Sequence, residues 1–127
     1  MIESIDMFTG AHVLLYSKDA DADRAFLQNV LGFRAVDAGG GWLIFALPPA
    51  EAAIHPRDAA DPADGGHMLG AHLYLMCADV ETLVKSLAAK HVACGPLSRE
   101  RWGIRTTIPL PSGGQIGLYQ PLHPTAI

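Results

Sequence analysis

The chain repeats itself once. His12-Val-Leu-Leu-Tyr-Ser-Lys-Asp19 and His72-Leu-Tyr-Leu-Met-Cys-Ala-Asp79 both run from a histidine through apolar residues to an aspartate, and they lie 60 residues apart. The same offset carries Leu15 to Leu75, Leu27 to Leu87, Trp42 to Trp102 and Ile44 to Ile104 without a gap. Each match is weak alone. In register, they mark one supersecondary unit used twice. Two copies, at a period longer than solenoid repeats, specify a pseudo-symmetric pair of modules and not an array.

Each copy reads alike. The apolar runs at 11–17 and 71–77 fit mostly buried strands. Asp19 or Asp21, and Asp79 in the second copy, are placed to cap helices, where a carboxylate accepts from orphan N–H groups and meets the positive end of the dipole. Helix one carries Ala22, Phe26, Leu27, Val30 and Leu31 as a stripe and stops at Gly32. Helix two carries Val80, Leu83, Val84, Leu87 and Ala88, with Glu81, Lys85 and Lys90 outward. Three strands then follow in each half, at about 33–38, 42–47 and 52–55, and at about 92–97, 103–110 and 115–120. Gly39-Gly40-Gly41 and Pro48-Pro49 split the first set, and Pro111-Ser112-Gly113-Gly114 is a strong hairpin signal in the second. The predicted fold is α+β, two βαβββ modules forming curved mixed sheets around a cleft, with helices on one face of each sheet. Module one covers about 11–57, a linker rich in Ala, Asp, Gly and Pro covers 58–70, and module two covers about 71–122, all within a single domain of residues 1–127.

Composition narrows the function. Half of the 127 residues are apolar and 17% are charged, enough to bury a core and to exclude disorder as the main state. Nine basic against 13 acidic residues give a net charge of −4 with no basic run, which argues against nucleic-acid and anionic-membrane partners. No apolar run approaches the roughly 18–20 residues of a membrane span. Met1 to Gly10 has two acids and no basic region, so no secretory signal is expected. Cys77 and Cys94 carry no metal-motif spacing and read as reduced thiols of a cytoplasmic protein.

Two βαβββ modules with a histidine on each opening strand resemble the vicinal oxygen chelate superfamily, the group of glyoxalase I, bleomycin-resistance proteins and extradiol dioxygenases. Its marks here are His12, Asp19, Phe26 with Val30-Leu-Gly-Phe33, Ala53-Ile54-His55, His72 and Pro111-Ser-Gly-Gly-Gln-Ile-Gly-Leu-Tyr119. The resemblance implies metal ligands at four strand positions, falling on His12, His55, His72 and Gly117. Gly117, where the family usually has Glu, departs from the pattern, as does the turn 110–114. Three histidines with open positions suit a divalent metal such as Zn, Ni, Fe or Mn, working as a Lewis acid on adjacent substrate oxygens. His55, if unligated, takes the general-base role.

Strand parity adds the surroundings. If His12 faces the cleft, so do Leu14 and Tyr16; if His72 does, so do Tyr74 and Met76; Gly117 shares its face with Gln115 and Tyr119. Such a lining of aromatic and apolar groups suits a flat, partly aromatic ligand. Trp42 and Trp102 read as core or cleft-wall packing on equivalent strands, and Arg105 is either solvated or holds a ligand carboxylate. His67, His91 and His123 read as solvated, Gly39–Gly41 lacks the strand-to-helix setting of a phosphate loop, and Cys77 has no activating neighbour.

Three functions follow. The first is a metal-assisted lyase, isomerase or dioxygenase acting on a small organic substrate, with His12, His55 and His72 as ligands and Tyr74, Trp102, Arg105, Gln115 and Tyr119 shaping the site. Gly117 argues against glyoxalase I activity itself. The second is a metal-free binding or resistance protein that sequesters a hydrophobic or aromatic compound. The third is a structural dimer with a degenerate cleft. The resemblance also implies a homodimer, with the cleft either within one chain or shared between two.

Overall fold

Asp19 and Asp79 start helices in the same way. In the computed structural model, which describes residues 9–56 and 69–127, the two aspartates have nearly equal φ, −142° and −144°, and each carboxylate accepts the N–H of the third residue on, Ala22 or Thr82. They open α1 (Ala20–Asn29) and α2 (Val80–Ala88). Bonds from the Thr82 N–H and hydroxyl hold the Asp79 carboxyl below its ordinary range. Beyond α1, Gly32 adopts the left-handed conformation at φ 77°. In α2 a non-glycine does so: His91, at φ 64°, donates its N–H to Ala88 while Val92 reaches back to Leu87, the pair of bonds that closes many helix ends.

Module two forms three of its four expected strands, with a short strand just past the expected position of the fourth. The strands β3 (Tyr74–Met76), β4 (Ser98–Arg99), β5 (Gly103–Pro109) and β6 (Gln115–Pro121) make one sheet in the order β3-β6-β5-β4. The β3–β6 pair is parallel and the other two pairs are antiparallel, so the sheet is mixed. The run at 92–97 is not a strand. Its hydrogen bonds to β5 are made at Gly95, whose N–H reaches the Thr107 carbonyl and whose carbonyl accepts the Thr106 hydroxyl. The next residue is Pro96, which has no N–H with which to extend a ladder.

Module one is thinner than expected. Only β1 (Ala35–Asp37) and β2 (Leu43–Phe45) pair, antiparallel, across the glycine turn, whose Gly39 and Gly41 N–H groups the Asp37 carboxylate accepts. The runs at 11–17 and 52–55, expected as strands, form none. Pro48-Pro49 and Pro56 bracket the second run and remove donors at both ends. Its counterpart β6 is what β3 pairs with in module two, so the run at 11–17 is left without that neighbour.

The helices also depart from expectation. The core is Val80, Leu87, Val92, Ile108, Ile116 and Leu118, and Phe26, Val30 and Leu31 of α1 pack against it. Both helices therefore cover the same face of the four-stranded sheet, instead of one helix on each sheet. That sheet offers a continuous apolar face, whereas β1 and β2 are three residues each and leave Val36 65% exposed. Burial against the larger face removes more apolar area from water. Asp23, buried in α1, pins the arrangement by accepting the Ser17 hydroxyl at 2.6 Å and the Ser112 N–H at 3.0 Å. The linker, with His67, and the segment 1–8 lie outside the described residues, apart from the linker's last two positions.

Candidate ligand site

The sheet face opposite the helices carries every second residue: Tyr74 and Met76 from β3, Gln115, Gly117 and Tyr119 from β6, Gly103, Arg105 and Thr107 from β5. Register sets Tyr74 beside Gly117 and Arg105 beside Tyr119. Two glycines let aromatic rings lie down on this face. A β-carbon built on Gly117 would land within the ring of Tyr74, and one on Gly103 would meet Tyr119 Cδ2 at 2.9 Å.

The result is an aromatic trio. Tyr74, Trp102 and Tyr119 have ring centroids 5.2–6.3 Å apart and interplanar angles of 76–90°. Edge-to-face contacts of this kind are worth about 0.5–1.5 kcal/mol each beyond burial. Tyr74 and Trp102 remain 36% and 39% exposed, so the trio also presents apolar area to a ligand. Arg105 flanks Tyr119 on the next strand, with Nε 3.9 Å from a Glu100 carboxylate that Ser98 also binds.

The structure thus brings together four of the residues singled out from the sequence: Tyr74, Trp102, Tyr119 and Arg105. Gln115 shares their face but sits at the hairpin end opposite Pro109, about 13 Å along the strand from Tyr119. His12, His55 and His72 are exposed, on stretches outside the strands. Among the described residues, no three His, Cys, Asp or Glu side chains group closely enough to hold a metal ion. The position the resemblance gives to a fourth ligand is Gly117, and the Tyr74 ring fills the space a side chain there would need. The described residues of one chain therefore do not fit a resident metal.

The repeat's two tryptophans have diverged. Trp42, the counterpart of Trp102, lies under the Arg24 guanidinium at 4.5 Å and outside the trio. Burial raises both the Cys77 and Cys94 thiols above their ordinary value, so neither is an activated nucleophile.

Two residues of the site escaped the sequence reading. His123, expected to be solvated, stacks on Tyr119 and meets its hydroxyl at 3.1 Å. Continuing the two-residue alternation of β6 past its end would have put 119, 121 and 123 on one face. Glu51 lies 3.9 Å from His123 and accepts the Ala126 N–H at 2.6 Å. No spacing in the chain signals that meeting, because it joins the end of module one to the C-terminal segment.

The family model described as Glyoxalase/Bleomycin resistance protein/Dioxygenase superfamily matches residues 10–114. Among solved structures, TnmS3, an antibiotic binding protein from Streptomyces sp. CB03234, is 25% identical over 90% of this chain and 98% of its own, with a TM-score of 0.57. A lactoylglutathione lyase from Agrobacterium tumefaciens is 20% identical over 86% of this chain and 90% of its own, at 0.54. A superfamily member from Sphaerobacter thermophilus is 20% identical over 90% and 98%, at 0.58. No curated protein matches the chain.

Proposed function

We propose, from the premise that this chain belongs to the glyoxalase/bleomycin resistance protein/dioxygenase superfamily, that it binds and sequesters a flat aromatic compound on the Tyr74–Trp102–Tyr119 face. The observation that carries this reading is the trio itself, with Gly117 cleared beneath the Tyr74 ring. Exposed aromatic edges and faces favour a planar apolar ligand, and Arg105 supplies a donor fork for an acidic or carbonyl oxygen on it. The antibiotic-binding neighbour lends the same direction. Anthracene-9-carboxylate, with about 17 heavy atoms at about 0.3 kcal/mol each, should bind with a Kd on the order of 100 µM or tighter. A fluorescence titration in a Trp42→Phe background reads Trp102 alone. Binding that is lost in Tyr74→Ala and Tyr119→Ala supports the reading; no binding, or binding indifferent to both variants, overturns it.

The second reading is metal-assisted chemistry in a cleft shared by two copies, with His12 and His55 from one and His72 from the other. It is favoured by the exposure of all three imidazoles, and superfamily members often use divalent metals. Metal analysis of untagged protein decides it. Stoichiometric Zn, Ni, Fe or Mn, lost in His12→Ala and in His72→Ala, would install this reading in place of the first.

A homodimer fits either case. Leu14 and Tyr16 are 63% and 92% exposed on the apolar run that lacks a strand neighbour, and a second copy would cover it. Light scattering should give the mass of two chains for the wild type and one for Leu14→Glu/Tyr16→Glu. A monomeric wild type would reject the pairing.

A further inference from the structure

Past β6 the chain turns back onto the aromatic face. The Leu122 N–H donates to the Trp102 carbonyl at 2.9 Å, and the His123 ring stacks on Tyr119 with centroids 6.0 Å apart and planes 29° from parallel. His123 Nδ1 lies 2.7 Å from the Pro124 carbonyl. A carbonyl oxygen only accepts, so Nδ1 carries the proton and Nε2 of the neutral ring is left as an acceptor. Nε2 is 3.1 Å from the Tyr119 hydroxyl, which therefore donates to it. Glu51 fixes the segment by accepting the Ala126 N–H. Burial first, then the Glu51 carboxylate, raise the Tyr119 phenol above its ordinary value, which keeps it a neutral hydroxyl.

A phenol has one proton. With that proton committed to His123, Tyr119 offers a ligand only lone pairs. On the neighbouring strand Arg105 has donors and no acceptor. We propose that His123, held by Glu51, makes Tyr119 a hydrogen-bond acceptor toward the ligand, so that the site selects aromatic compounds bearing a hydroxyl donor, the phenols, over the same ring without one. His123 acts through Tyr119 and is a positioning residue. This rests on the aromatic-ligand reading above and deepens it.

Calorimetric titration with 2-naphthol and 2-methoxynaphthalene tests this, because the two share one ring system and differ in the donor. At about pH 8 the wild type should bind 2-naphthol about fivefold more tightly, the worth of one net hydrogen bond. His123→Phe keeps a ring against Tyr119 but removes the acceptor. It should bind both compounds alike, with the 2-naphthol affinity held within about twofold of the wild type and the 2-methoxynaphthalene affinity raised to meet it, because the freed Tyr119 hydroxyl can donate to the ether oxygen. A merely structural role would weaken both compounds together. Equal binding of the two by the wild type at about pH 8, or a preference that survives in His123→Phe, overturns the selectivity and leaves the aromatic site standing. Failure of both compounds to bind the wild type overturns the two together.

Discussion

Gly117→Ala should destabilise the protein by about 2–3 kcal/mol, the upper part of the range for forcing atoms into a packed place, and weaken aromatic-ligand binding by at least about tenfold. The added β-carbon falls within the Tyr74 ring. The backbone there is paired on both sides, to β3 and to β5, and cannot move away. The ring must therefore swing off the sheet and lose its edge contacts with Trp102 and Tyr119, about 0.5–1.5 kcal/mol apiece. Urea denaturation and the Trp102 titration measure the two effects. A second variant isolates the cause. Once Tyr74→Ala has cleared the space, adding Gly117→Ala should cost little more, and the shortfall from additivity is the coupling between the two positions. A cost that persists in full without the Tyr74 ring would mean the ring does not occupy that space.

Asp23→Ala should cost a comparable 2–3 kcal/mol. It removes the acceptor for the Ser17 hydroxyl and the Ser112 N–H, two charge-assisted bonds, the first tying α1 to the segment before it and the second fastening it to the β5–β6 hairpin. Burial by itself pushes the Asp23 carboxyl up, but the bonds from Ser17 and Ser112 outweigh it and leave the group below its ordinary value. The sign of the pH effect follows. A carboxyl lowered on folding stabilises the native state above its unfolded value and loses that contribution as pH falls through the folded one. Wild-type stability should thus drop below about pH 4, and Asp23→Ala should show a flatter slope there. Urea melts from about pH 7 to about pH 3 give both curves. Parallel curves would show that Asp23 titrates alike in the folded and unfolded chains.

Local chemistry was legible in the chain. The offset between Asp19 and Asp79 predicted two caps, and both form the same bond to the third residue on. Pro111 to Gly114 predicted the hairpin, and β5 and β6 flank it. Strand parity placed Tyr74 and Tyr119 on one face with Gly117. These readings succeed because capping, turns and alternation depend on residues a few positions apart. The strands at 11–17 and 52–55 failed for the opposite reason. An apolar run becomes a strand only where a partner accepts its backbone bonds, and prolines around 52–55 withdraw the partner.

The sequence by itself determined the strand–helix–three-strand order of module two, the helix starts and which side chains share a sheet face, because each is set by short-range sterics and hydrogen bonding. Only the tertiary structure decided that α1 packs on the sheet of module two, that the Tyr74 ring takes the space above Gly117, and that Glu51 meets the C-terminal segment at His123. Those are encounters between distant parts of the chain. They are settled by which surfaces bury the most apolar area and which buried polar groups find partners.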